Sequence, residues 1–226
     1  MAEFDSYAHN YKDLVSESIR ITGESSDYFA AYKAAYIARR VSVRPGGKAL
    51  DYGCGIGLLS KHLKRCLGGV RIDGFDPSRD SLAQIDESLR QQGAFRSNLQ
   101  ELGQDYDLIV LANVLHHVKP AERLGLVKEA ASRLAGGGRI VVIEHNGVNP
   151  LTRHAVAQCP FDVNAVLLPT RETRDCLRES GLSAVQLEYI VFFPRWLSWL
   201  RKLEPSLAWC PLGAQYAMVA ERRLNS

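Results

Sequence analysis

The chain has 226 residues, 46% hydrophobic and 23% charged, with a formal net charge of +3. That length admits one large domain, or one domain with a small appendage, and enough apolar material for a sizeable core. So small a positive excess, with only short clusters at Arg39-Arg40 and Arg222-Arg223, argues against a nucleic-acid partner.

In chain order, the polar and acidic start lacks an apolar run behind a basic end, so no signal peptide is expected. Residues 1–42 read as a helical cap, with Tyr7, Tyr11, Leu14, Tyr28, Phe29, Tyr32 and Tyr36 at helical spacings. Gly23 divides this region, and Ser26 or Asp27 is the expected cap of the second piece. After the turn Arg44-Pro45-Gly46-Gly47, strands are predicted over 48–52, 70–75, 94–97, 107–112 and 139–144. Helices are predicted between them over 58–67, 78–91 and 120–134. Such alternation predicts an α/β fold, a mostly parallel sheet with helices on both faces. A helix over 170–179 and two strand-like runs, 183–193 and 214–222, complete the chain.

No run of about 18 apolar residues predicts a transmembrane helix. The five cysteines are odd in number and contain no CxxC pair, which speaks against disulfides and a zinc knuckle and for a reducing cytoplasm.

The most informative stretch is Leu50-Asp51-Tyr52-Gly53-Cys54-Gly55-Ile56-Gly57-Leu58, where a buried strand turns into a helix. Glycines there permit unusual backbone angles and close approach to a ligand. The spacing is GxGxG, with Leu58 where a dinucleotide fingerprint needs its third glycine, which counts against a nicotinamide or flavin cofactor.

Asp51-Tyr52-Gly53-Cys54-Gly55-Ile56-Gly57 resembles the nucleotide-binding loop of class I S-adenosylmethionine-dependent methyltransferases. Gly74-Phe75-Asp76-Pro77-Ser78 resembles that family's second-strand end, Leu111 to Val118 its segment after strand four, and Leu134 to Arg139 its turn into strand five. The likeness covers residues 45–145 well and the C-terminal third by general layout. It implies a Rossmann-like, doubly wound, seven-stranded sheet with one antiparallel terminal strand over 43–226, and S-adenosylmethionine as cofactor. The implied cofactor residues are Asp51, Gly53, Cys54, Gly55, Gly57, Asp76, Pro77, Asn98, Leu99 and Asn113. Among them, Asp51 orders the methionine end, and Asp76 with Pro77 grips the ribose. Asp76 stands about 25 residues beyond Asp51, as a βαβ unit requires. Asn98, beside Leu99, occupies a position where the family often places an acid against adenine.

Acceptors in open α/β sheets bind beyond the carboxyl ends of the strands. There the sequence gathers His116, His117, His145, Asn146, Arg153 and His154, with Tyr7 and Tyr11 able to close over the top. Methyl transfer is an in-line displacement in which the protein mainly aligns the partners. For a hydroxyl acceptor a neutral histidine suits proton removal near pH 7. His145 is the first candidate base and His117 the second; either also reads as a residue that merely hydrogen-bonds acceptor or backbone. No carboxylate clusters with the histidines at metal-ligand spacing in the sequence, so a metal-independent reaction is expected.

All three tryptophans lie in an aromatic insertion over 189–213. Trp196, Leu197, Trp199, Leu200 and Leu203 share one face of an α-helix. The segment reads as core-completing, as an apolar acceptor wall that includes Trp199, or as a peripheral membrane contact. The expected activity is O-methylation of a small-molecule, glycan or lipid-linked acceptor. A non-catalytic S-adenosylmethionine-binding scaffold and a nicotinamide-dependent oxidoreductase are the alternatives.

Overall fold

A computed structural model describes residues 22–159, 162 and 164–223. Tyr7 and Tyr11 lie outside the described residues. Seven strands form one sheet: β1 Lys48–Tyr52, β2 Arg71–Phe75, β3 Phe95–Arg96, β4 Tyr106–Ala112, β5 Leu134–His145, β6 Leu182–Ile190 and β7 Gln215–Arg222. Their order is β3-β2-β1-β4-β5-β7-β6. Strands β1 to β5 pair in parallel, whereas β7 runs antiparallel to both neighbours. The reversed strand is therefore last in the chain but second from the sheet edge.

The central strands are apolar on both faces because helices cover both. Leu50, Ile109, Leu111, Ile140 and Val142 point to one side, with Val127 and Ala131 of α5 (Pro120–Ser132) and Leu177 of α7 (Thr170–Glu179). Ala49, Leu108, Val110, Val141 and Ile143 point to the other, with Ala34 and Ile37 of α1 (Ser26–Arg40) and Leu63 of α2 (Leu58–Cys66). Successive residues alternate between the two cores, as a strand period of two requires.

Four local departures from expectation have physical causes. The N-cap of α1 is Ser25, whose side chain accepts from Tyr28 N, rather than Ser26 or Asp27. The predicted helix 78–91 is two short helices, α3 Arg79–Ala83 and α4 Glu87–Arg90. Asp86 caps the second by accepting from Ser88 N, and the Arg90 side chain donates to the carbonyls of Leu82, Ala83 and Ile85 at the break. Strand β5 starts at Leu134, which pairs with Tyr106 before an irregularity that absorbs the glycines. An additional helix, α6 Pro150–Gln158, starts at Asn149, whose side chain caps Leu151 N and Thr152 N.

The insertion is the largest departure. Arg195–Leu207 is a run of 3₁₀ turns with a non-helical Leu197 and Pro205 inside it, not one amphipathic α-helix. Trp196, Trp199 and Lys202 are exposed, while Leu197 and Leu200 are half-buried. Glu204 anchors the segment: its carboxylate accepts from the Tyr32 hydroxyl and from Phe192 N and Phe193 N. Arg201 binds Glu24 at 2.7 Å and stacks over Tyr28, tying the segment to the start of α1.

Candidate active site

A cavity of about 760 Å3 opens at the carboxyl ends of β1, β2, β4 and β5. At one end lies the glycine loop. Gly53 has φ of 83°, and a Cβ there would meet Val114 Cγ2 at 2.5 Å. Gly55 has φ of 52°, and a Cβ there would meet nothing within 4 Å, so its bare backbone faces open cavity. Gly57, with φ of 77°, forms the N-cap of α2.

Two acids stand beside this loop. Asp76 Oδ2 accepts from Gly55 N at 2.8 Å and Oδ1 from Ser78 N at 2.9 Å. Asp51 is buried, accepts from the Ser60 hydroxyl at 2.6 Å, and is pushed up to about 6. Burial is the main cause; the Asp76 charge adds to it, while Ser60 and Lys33 oppose it. Lys33 of α1 also lines the cavity and is pushed down to about 8, burial outweighing Glu144 and Asp51.

At the other end stand the histidines. Glu144, buried, accepts from Val114 N at 3.0 Å, Leu115 N at 2.6 Å and His116 Nδ1 at 2.5 Å. Burial resists its charge, but the His116 cation and these bonds hold its carboxyl below the usual range. Burial likewise resists the His116 charge, yet Glu144 and Asp162 overcome it and raise His116 to about 9. His145 is pushed the other way, to about 3, by burial and by the neighbouring His116 cation. Its Nε2 lies 3.4 Å from Asn113 Nδ2. Asn113 holds a φ of 59° after β4, a left-handed conformation that asparagine tolerates.

Of the residues singled out from sequence, Asp51, Gly53, Cys54, Gly55, Asp76, Pro77, Leu99, Asn113, His116, His117 and His145 line this one cavity. Six do not. Asn98 is exposed, and its side chain caps the turn at Gln100 N. Gly57 acts from behind the loop. Asn146 is buried, donating to Pro211 O and Gly213 O and accepting from Val148 N, so it is a strut between loops. Arg153 and His154 are exposed on α6. Trp199 is exposed off the cavity, separated by the non-helical Leu197 from Trp196, which lines it.

Three contributors were not singled out. Lys33 sits in an ordinary helical pattern. Gln215 pairs with His145 only through the antiparallel register of β7 on β5. Its Nε2 donates to Asn113 Oδ1 at 3.3 Å, while its buried Oε1 has no partner among the described residues. Asp162 lies far along the chain, yet its Oδ1 is 3.4 Å from His116 Nε2 and 3.5 Å from His117 Nε2. The expectation that no carboxylate clusters with the histidines therefore does not hold.

A match to the family model described as a methyltransferase domain runs over residues 27–187. The chain belongs to that family. It is a class I S-adenosylmethionine-dependent methyltransferase, and a nicotinamide-dependent oxidoreductase is set aside. A ubiquinone biosynthesis O-methyltransferase of Marinobacter nauticus is 28% identical over 158 residues, 66% of this chain and 64% of that protein. The match thus spans less than two thirds of that relative's length. In fold, the chain is similar to an S-adenosylmethionine-dependent methyltransferase of Archaeoglobus fulgidus, with a TM-score of 0.69, 16% identity, and 94% and 100% of the two chains covered. It is similar also to the magnesium protoporphyrin IX methyltransferase of Synechocystis PCC 6803 crystallised with S-adenosylhomocysteine, with a TM-score of 0.65, 18% identity, and 97% and 96% covered.

The site's donor set fits this cofactor. A ribose diol needs an anionic acceptor, an ammonium needs another, and the chain between them needs close backbone approach. Asp76, Asp51 and the bare Gly55 backbone would supply these from one end of the cavity. The orphaned Gln215 Oε1 offers a further acceptor. Among the described residues no helix of this methyltransferase is long and apolar enough to cross a membrane.

Proposed function

We propose that this methyltransferase methylates a hydroxyl oxygen of a small-molecule or lipid-linked acceptor with an apolar body. The carrying observation is one continuous cavity that joins the glycine loop and Asp76 to His117 and His145, under an apolar wall of Phe29, Phe192, Phe193 and Trp196. A polar floor with an apolar wall suits an acceptor whose hydroxyl must be buried while its body stays in apolar surroundings. The relative named as an O-methyltransferase supports oxygen as the acceptor atom.

When bound, S-adenosylmethionine supplies a methyl carbon attached to a sulfonium, an electrophile that needs no further activation. With it bound, Asp76 would hold the ribose and Asp51 the ammonium, in the same cavity as Asn113 and the histidines. His145 stands beside Asn113, at the join between the donor and acceptor parts of the cavity. His145, uncharged at neutral pH because burial and the His116 cation push it down to about 3, would receive the proton that the acceptor hydroxyl sheds once its oxygen carries the methyl group. His117 and Gln215 orient the acceptor from either side.

Donor binding should depend on pH through Asp51. The carboxylate form pairs with an ammonium, so affinity for S-adenosylhomocysteine is expected to rise as pH passes through about 6 and to level off above it. Calorimetry should find roughly tenfold weaker binding at pH 5 than at pH 7, and Asp51→Asn should flatten the profile. A profile that is flat in the unaltered protein would remove Asp51 from the ammonium site.

The acceptor wall is tested by Trp196→Ala, expected to raise acceptor KM by roughly tenfold with S-adenosylhomocysteine affinity unchanged. Acceptor identity is tested with methyl-labelled donor and a panel of phenols and prenylated alcohols. Label found on nitrogen or carbon alone would overturn the oxygen assignment. Leu151 and Trp196 line the cavity and are exposed, which supports approach to a membrane surface where a lipid-linked acceptor resides.

A further inference from the structure

We propose that His116, His117 and Asp162 form a binding site for a divalent transition metal at the acceptor end of the cavity. One ligand atom from each, an imidazole nitrogen of either histidine and an Asp162 oxygen, all lie within 4.8 Å of one another. The separations from Asp162 Oδ1, 3.4 Å to His116 and 3.5 Å to His117, decide what the cluster is built for. A charge-assisted N–H···O bond closes to about 2.7–2.9 Å. A tetrahedral ion with bonds of about 2.0–2.1 Å sets its ligands about 3.4 Å apart. Both separations from Asp162 match a tetrahedron edge.

The supporting shell is also in place. His116 Nδ1 donates to Glu144, which fixes the ring and leaves Nε2 as its outward nitrogen. Glu144 is in turn held by Val114 N and Leu115 N. A carboxylate behind a metal-binding histidine is the arrangement that orients the ring and raises its basicity. Asp162 is held too: its N–H donates to Cys159 O and its C=O accepts from Ala165 N. Val166 N, just beyond, donates to His116 O and ties this loop to the histidines. Two imidazoles and one carboxylate favour zinc, cobalt or iron(II) over magnesium or calcium.

Three protein ligands leave one position open, and all three residues line the cavity. That position faces the acceptor compartment, where a hydroxyl oxygen would complete the coordination and lose its proton more readily. This use of the ion rests on the O-methylation reading; uptake of the ion does not.

The test is calorimetric titration of the full chain, stripped with chelator, with zinc chloride alone. One equivalent is expected to bind with a Kd at or below the micromolar range. Asp162→Ala and His117→Gln should each weaken it by about 100-fold, whereas His154→Ala, on the exposed face of α6, should not. Cobalt(II) titration should give tetrahedral d–d absorption that Asp162→Ala abolishes. Titration of each variant with S-adenosylhomocysteine reads the donor end separately, and Asp162→Asn preserves the shape of the loop should the alanine variant unfold. Absence of stoichiometric zinc uptake, or uptake unaltered in the Asp162 and His117 variants, would overturn the site. A site that binds zinc in a protein that methylates no hydroxyl would retire the O-methylation reading alone.

Discussion

Replacing Asp76 with alanine is expected to weaken S-adenosylhomocysteine binding by at least about 100-fold. Each carboxylate oxygen already accepts one backbone N–H, from Gly55 and from Ser78. A carboxylate has about four acceptor sites in all, and a ribose diol offers two donors. Hydrogen bonds to a charged group contribute about 1.5–3 kcal/mol each, so losing two costs about 3–6 kcal/mol before any loosening of the loop. Asp76→Asn keeps one acceptor and should fall between the two. Calorimetry with the homocysteine product, alongside circular dichroism to verify folding, makes the comparison. A folded Asp76→Ala protein with unaltered affinity would place the ribose elsewhere.

The second large effect concerns stability. Arg123 of α5 is buried, and its guanidinium donates to Leu115 O, Val118 O, Val166 O and Glu172. It thereby braces the turn carrying His116 and His117 and the segment after Asp162 in one fork. Arg123→Met leaves carbonyls without donors and Glu172 without its partner. Breaking a buried charged network of this kind costs about 3–5 kcal/mol. Urea denaturation should register that loss, with kcat falling more than donor affinity because the damage lies at the acceptor end. Arg123→Lys should recover little, since a point charge cannot reproduce the planar fork. A change below 1 kcal/mol by the same measurement would contradict this account of the brace.

The donor half of the site was legible in the sequence because its parts are local. A glycine run at a strand-to-helix turn and an acid at the next strand end are separated by one βαβ unit, so spacing alone brings Asp51, Gly55 and Asp76 together. The acceptor half is assembled from distant pieces. Asp162 reaches His116 and His117 through a loop after α6, and Gln215 arrives through the pairing of β7 with β5. No local pattern encodes either meeting. Asn146 illustrates the converse error: a polar residue at a strand end is as useful for bracing loops as for touching a ligand, and here it braces.

The insertion misled for a different reason. Its apolar residues fit an α-helical face, but the segment is a run of 3₁₀ turns, interrupted at the non-helical Leu197 and carrying Pro205. The break at Leu197 separates Trp199, exposed off the cavity, from Trp196, which lines it. Elsewhere period was a sound guide, since β4 and the centre of β5 alternate between two cores on schedule. Where both faces of a strand are buried, continuous apolar character is itself the signal.

A crystal structure of the protein with S-adenosylhomocysteine bound is the most direct measurement. The ribose hydroxyls should lie within hydrogen-bonding distance of Asp76, the ammonium against Asp51, and the sulfur should face the compartment lined by His145 and His117. A sulfur directed away from those histidines, or a nucleoside seated outside the Gly53 to Gly57 turn, would contradict it.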